Sequence, residues 1–177
     1  MKFKERSIMK ISVPNKNGVL EDKYSKHAAA EYTYKGNPIL SFPVNFDDIP
    51  DGTKSLALVF VDFDSIPVCG FAWIHWLAAN IPADTAVLPE NASAENALNI
   101  VQGANSCISR FVGETDKKIV YRYVGPTPPD QDHKYTLTAY ALDCMLDLKE
   151  VYYLNEFLDK IKGHVLDKTS VELIGRK

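Results

Sequence analysis

Hydrophobic and polar positions along this chain follow strand periods far more often than helical ones. Ser55-Leu-Ala-Leu-Val-Phe-Val-Asp62 is apolar at successive positions, rich in β-formers, and bounded by Pro50-Asp51-Gly52 and Pro67. A short run that is apolar on both faces predicts a strand inside a sheet covered on both sides. Residues 70–81 form a second apolar segment, aromatic through Trp73 and Trp76, with no helical stripe and a stop at Pro82. They predict another interior strand. Residues 134–142 alternate in the strand manner and predict a third. Shorter strands are predicted over 8–13, 119–124 and 170–174. One helix is predicted, over 150–162, where Val151, Leu154, Phe157, Leu158 and Ile161 recur at helical spacing and Gly163 supplies the stop. Residues 92–100 predict a shorter helix that follows a loop. The three prolines within 124–132 remove backbone donors and fix φ, so that stretch is a stiff loop leading into the third strand. The class is mainly β with a few peripheral helices.

Composition narrows the function without choosing it. A chain of 177 residues is the size of one domain, taken here as spanning 1–177, and can bury a core without disulfides or a structural metal. A formal charge of -3 gives no overall pull toward nucleic acid, and basic clusters are short: Lys2, Lys4 and Arg6, then Lys117 and Lys118. Three cysteines without CxxC spacing, Cys69, Cys107 and Cys144, argue against a disulfide framework and against a cysteine-based zinc site. The opening residues lack the apolar stretch of a secretory signal. No run reaches the roughly 18 apolar residues a membrane helix needs. The expectation is a cytoplasmic, soluble protein with neither nucleic acid nor an integral membrane segment.

Candidate chemistry sits at strand ends in pairs spaced i, i+2: Asp62 with Asp64, Trp73 with His75, and His133 with Tyr135. Side chains two apart on a strand share a face, so each pair can project into one cavity if the strand ends converge. Carboxylates, imidazoles, a phenol and an indole on apolar walls are the make-up of a site for a small polar ligand. Two histidines and a carboxylate could hold a metal, or imidazoles oriented by carboxylates could donate to an anion such as phosphate. The chain has no HExxH motif for the metal reading and no G-x-S-x-G elbow for a serine nucleophile. Taken singly, each residue also has a structural role: Asp64 as a turn-former, Trp73 and Trp76 as core, His75 as a buried histidine, and His133 as an exposed one.

The same residues resemble the phosphatidylethanolamine-binding protein family, in its bacterial and archaeal branch described as Raf-kinase-inhibitor-like. Ser55 to Asp64 with Trp73-Ile-His75-Trp76 and Asn80-Ile-Pro82 is similar to the family's first block. Gly125-Pro126-Thr-Pro128-Pro129, His133-Lys-Tyr135 and Tyr140-Ala-Leu-Asp143 are similar to its second. The likeness runs from about residue 36, through Pro38 to Phe42, to Gly163-His-Val-Leu and the C-terminus. It implies a large antiparallel or mixed central sheet packed on a smaller one, with a small pocket for phosphate or phosphoethanolamine-like groups. Asp62, His75, His133 and Tyr135 would line it, Trp73 would wall it, Asp64 would support the turn, and Gly125 and Pro128 would shape the rim. The family also implies a kinase or protease as the partner that such a protein regulates or inhibits, and a homodimer. Phe63 stands where the family's turn has proline, and 113–118 reads as an additional turn or hairpin that could cover the pocket or meet a partner subunit.

Two functions remain in view from the sequence. The leading one is a non-catalytic binding protein without cofactor or metal, whose two imidazoles donate to the anion and bind it tighter in mildly acid solution. The alternative is a hydrolase using the Asp/His cluster, with or without metal assistance.

Overall fold

The computed structural model describes residues 8–96 and 98–177. The basic start at Lys2, Lys4 and Arg6 lies outside them. Among the described residues twelve strands are formed: β1 Lys10–Ser12, β2 Asn15–Lys16, β3 Val19–Leu20, β4 Thr33–Tyr34, β5 Asn37–Pro38, β6 Val44–Asp47, β7 Ser55–Asp62, β8 Trp73–Pro82, β9 Val87–Leu88, β10 Val101–Gln102, β11 His133–Leu142 and β12 Val165–Gly175. Four short α-helices lie between them: α1 Ile66–Cys69, α2 Ala92–Glu95, α3 Lys117–Val120 and α4 Leu154–Lys160. A seven-stranded sheet runs β10-β8-β7-β11-β12-β3-β2, a three-stranded sheet runs β1-β6-β9, and β4 pairs with β5. The large sheet is mixed, because β12 meets β3 in parallel while β7, β8, β10 and β11 pair antiparallel.

The continuous apolar run of β7 reflects burial on both faces. Leu56, Leu58 and Phe60 point into a core shared with Phe42, Val44 and Phe46 of the smaller sheet's side. Ala57, Val59 and Val61 point into a second core closed by Tyr152, Phe157 and Ile161. Phe42 holds edge-to-face contacts with Phe60, Trp76 and Tyr123 at the centre of the first core.

Three predicted elements differ, the first being the short helix predicted over 92–100, which stops at Glu95 where Asn96 turns left-handed with φ +49°. Residues 119–124, read as a strand, instead begin as α3 and leave it at once. Asp116 caps α3 by accepting the Lys118 N–H at 3.0 Å, and Ile119 and Val120 are buried as helical residues. The following backbone is taken by tertiary partners: Tyr123 N–H donates to Ser93 Oγ and Val124 N–H to the His75 carbonyl. The helix predicted over 150–162 is confined to 154–160. Its intended first turn pairs with the β10 region, where Val151 N–H donates to the Gln102 carbonyl and Ala104 N–H to that of Tyr152. Glu156 then caps α4 by accepting the Tyr153 N–H at 2.8 Å.

Candidate functional site

The β7, β8 and β11 strands bring their site-bearing ends together, because β11 and β8 flank β7 with Asp62 opposite both Tyr135 and Trp73. A bulge in β8 adjusts the aim. Phe60 pairs with Trp76 and Val61 with Ile74, so His75 is the extra residue between them. Such a bulge redirects a side chain beside a site. Here His75 lines a cavity with Trp73 while Trp76 enters the core.

The cavity measures about 170 Å³. Its polar floor is Asp62, His75, His133 and Tyr135, and its walls are Trp73, Val68, Pro128 and Pro129. A space of this order admits a small polar group. Trp73 is stacked on Phe71 at 5.6 Å between ring centres, which fixes that wall.

The two histidines are in opposite states. His133 is 1% exposed and has both ring nitrogens engaged, Nδ1 with Asp62 Oδ2 at 2.8 Å and Nε2 with Asp130 Oδ1 at 2.9 Å. Carboxylates accept only, so both nitrogens carry hydrogen and the ring is an imidazolium. Burial alone would lower its pKa, but Asp62 and Asp130 outweigh burial and hold it above the ordinary value. His75 is 3% exposed, and burial brings its pKa down to about 4 against a smaller opposing effect from Val124. Its Nδ1 lies 2.7 Å from the Val124 carbonyl, which can only accept. Nδ1 therefore holds the hydrogen, and in the neutral ring Nε2 is an acceptor. The expectation that both imidazoles donate to an anion is therefore revised: one has spent its donors, and the other offers a lone pair.

Asp62 is fixed from the other side by Ser65, whose N–H donates to Oδ1 at 3.0 Å. Ser65 Oγ lies 2.8 and 2.9 Å from the carbonyls of Asp62 and Phe71 and accepts the Trp73 N–H, so it is a clasp for the turn and not a free nucleophile. Phe63, in place of the family's proline, is exposed, and this turn still delivers Asp62 to His133. Asp64 accepts the Lys134 N–H at 2.8 Å and ties the two strand ends, outside the cavity lining. Gly125 also lies outside the lining, where a Cβ would stand 2.1 Å from the Tyr24 carbonyl oxygen. It shapes the proline loop from behind. The 113–118 segment does not reach the cavity; Asp116 instead meets Lys35 and the Tyr34 hydroxyl on the β4–β5 hairpin. The cover comes from α1, through Val68 and Cys69.

The sequence alone did not mark Ser65, Val68, Cys69, Thr127, Pro129 or Asp130 as site residues. Two of them had a local signal: Ser65 stands three residues after Asp62, where a carboxylate can accept the backbone N–H as at a helix N-cap, and Asp130 three before His133.

The family described as phosphatidylethanolamine-binding protein matches residues 11–174. An uncharacterised Bacillus subtilis protein, YxkA, is 56% identical over 160 residues, covering 90% of this chain and 95% of its own length. A UPF0098 protein of Methanothermobacter thermautotrophicus is 36% identical over 148 residues, covering 82% of this chain and 87% of its own. Among solved structures, the phosphatidylethanolamine-binding protein homologue CT736 of Chlamydia trachomatis superposes with a TM-score of 0.76 at 28% identity over 96% of this chain and 98% of that one. Escherichia coli YbcL shares the fold, with a TM-score of 0.75 at 18% identity over 97% and 99%.

Proposed function

We propose, on the premise that this chain belongs to the phosphatidylethanolamine-binding protein family, that it is a non-catalytic binding protein for a phosphate group that brings its own hydrogen. A phosphate monoanion with a P–OH meets that description, and so does a phosphoethanolamine-type head group with its ammonium. The observation that carries this reading is His75: buried, neutral, tied through Nδ1 to Val124 so that Nε2 is its acceptor, and part of the cavity lining. Asp62 and Asp130 against one imidazolium leave one net negative charge, which disfavours a bare phosphate dianion. For a phosphate monoanion this reading gives a preference for acid solution, caused by the ligand's own proton and not by the protein's histidines.

A hydrolase on the same residues gains no support from this arrangement. Asp62, His133 and Asp130 are engaged with one another, and Ser65 is engaged with backbone. Among the described residues no helix is long and apolar enough to cross a membrane.

Calorimetric titration with phosphoethanolamine and with inorganic phosphate, at several pH values, tests the proposal. The expected result is saturable binding whose affinity, expressed per protonated ligand, is flat from pH 6 to pH 8 (on the order of one phosphate ionisation apart) and is lost in His75→Phe. Tighter binding of the inorganic phosphate dianion than of its monoanion would overturn it.

A further inference from the structure

We infer that Asp143, Cys144 and His164 form a site for a zinc-like divalent transition metal, away from the cleft and independent of its ligand. The three residues come from opposite ends of the connection between β11 and β12, with Asp143 and Cys144 just after Leu142 and His164 just before Val165. Their donor atoms already converge: His164 Nδ1 lies 2.8 Å from Asp143 Oδ1, and no pair of the three, Cys144 Sγ included, is farther apart than 4.8 Å. Ligands about 2.0 to 2.3 Å from a tetrahedral zinc ion stand roughly 3.3 to 3.7 Å from each other. Rotation of side chains covers the difference.

The backbone under the site is pinned before any metal arrives. Asp143 N–H donates to the His164 carbonyl at 3.1 Å, Ser55 Oγ to the Cys144 carbonyl at 2.5 Å, and His164 N–H to the Ile161 carbonyl at 3.0 Å. Strand β7, the β11 exit and the end of α4 therefore hold the three positions from separate directions. A sulfur, a nitrogen and a carboxylate oxygen suit zinc, cobalt or nickel and not calcium or magnesium, which take oxygen alone. Asp143 and His164 are half-exposed, which leaves an approach and a fourth position for water. Cysteine binds such a metal as thiolate, so the metal enters by displacing the Cys144 proton to solvent. No local motif announces the set, because nineteen residues, a helix among them, separate its halves.

Titration of the tag-free, reduced protein with Co²⁺ reads the sulfur directly, through thiolate-to-cobalt charge-transfer absorption in the near ultraviolet. One saturating equivalent is expected, displaced by Zn²⁺. The band should vanish in Cys144→Ala and persist in Cys69→Ser. Affinity should fall at least about tenfold in His164→Ala. Zn²⁺ should raise the melting temperature of the parent protein and not of Cys144→Ala, which guards against a variant that fails to fold. A missing band, or one that survives Cys144→Ala, would overturn the inference.

Discussion

At the residue scale, one ionisable side chain type does two jobs because its surroundings differ. His75 has a carbonyl and apolar neighbours, whereas His133 has a carboxylate on each side. For His75 the folded pKa, about 4, is below the ordinary 6.5, so the unfolded chain binds a proton that the folded one refuses. Its contribution is present above pH 6.5 and is lost as pH falls toward 4, worth roughly 3 kcal/mol by linkage. His133 has the opposite sign: its raised pKa stabilises in acid and fades as pH rises through that value. Urea titrations through the acid range should therefore show a steep limb in the parent protein and a flatter one in His75→Gln. Equal limbs would contradict the buried neutral state. Asp130 is the accessible member of the pair, so Asp130→Asn should lower the His133 pKa in an NMR titration while leaving the fold intact. Much of this residue-level picture was legible from i, i+2 spacing, which marked Asp62, Trp73, His75, His133 and Tyr135. Their charge states were not, since these depend on the Val124 carbonyl and Asp130, which reach the rings only after folding.

At the element scale, the strands with the strongest patterns were also the most legible. Burial on both faces dictated the run in β7, and alternation dictated β11. What sequence could not supply was irregularity within a strand. Beside the bulge at His75, β8 carries a second register shift near Asn80, whose φ is +58°. Asparagine tolerates that conformation, and its amide exchanges two hydrogen bonds with Leu146, donating to the carbonyl at 2.9 Å and accepting the N–H at 2.8 Å. Asn80→Ala should cost about 2 to 3 kcal/mol, from a left-handed alanine and two lost bonds to the 142–152 segment. A denaturant midpoint within error of the parent would show that the segment is held by other means. The false strand over 119–124 arose from the same blindness: apolar, β-branched residues were read by propensity, while a capping aspartate and distant backbone partners decided their path.

At the scale of the whole molecule, a buried polar knot joins the layers that the site depends on. Gln102 accepts the indole N–H of Trp76 at 2.9 Å and the hydroxyl of Ser93 at 2.7 Å, and donates to the Ser93 carbonyl. Ser93 Oγ in turn accepts the Tyr123 N–H, next to the carbonyl-bearing Val124 that orients His75. Gln102→Leu would strand these groups away from water, at about 2 to 4 kcal/mol, and should loosen His75 as well. Thermal melts and hydrogen exchange at Val124 would register both effects. The two-sheet arrangement was legible through the family likeness, but this knot was not, because glutamine and serine in loops carry no sequence pattern. The central claim is that neutral His75 receives a hydrogen from a phosphate-bearing ligand. The most direct test is ¹⁵N NMR of the His75 ring at neutral pH during titration with phosphoethanolamine. Nδ1 should stay protonated throughout, and Nε2 should shift saturably from a bare to a hydrogen-bonded nitrogen. An Nε2 that is already protonated before ligand, or that stays unmoved at saturation, would contradict it.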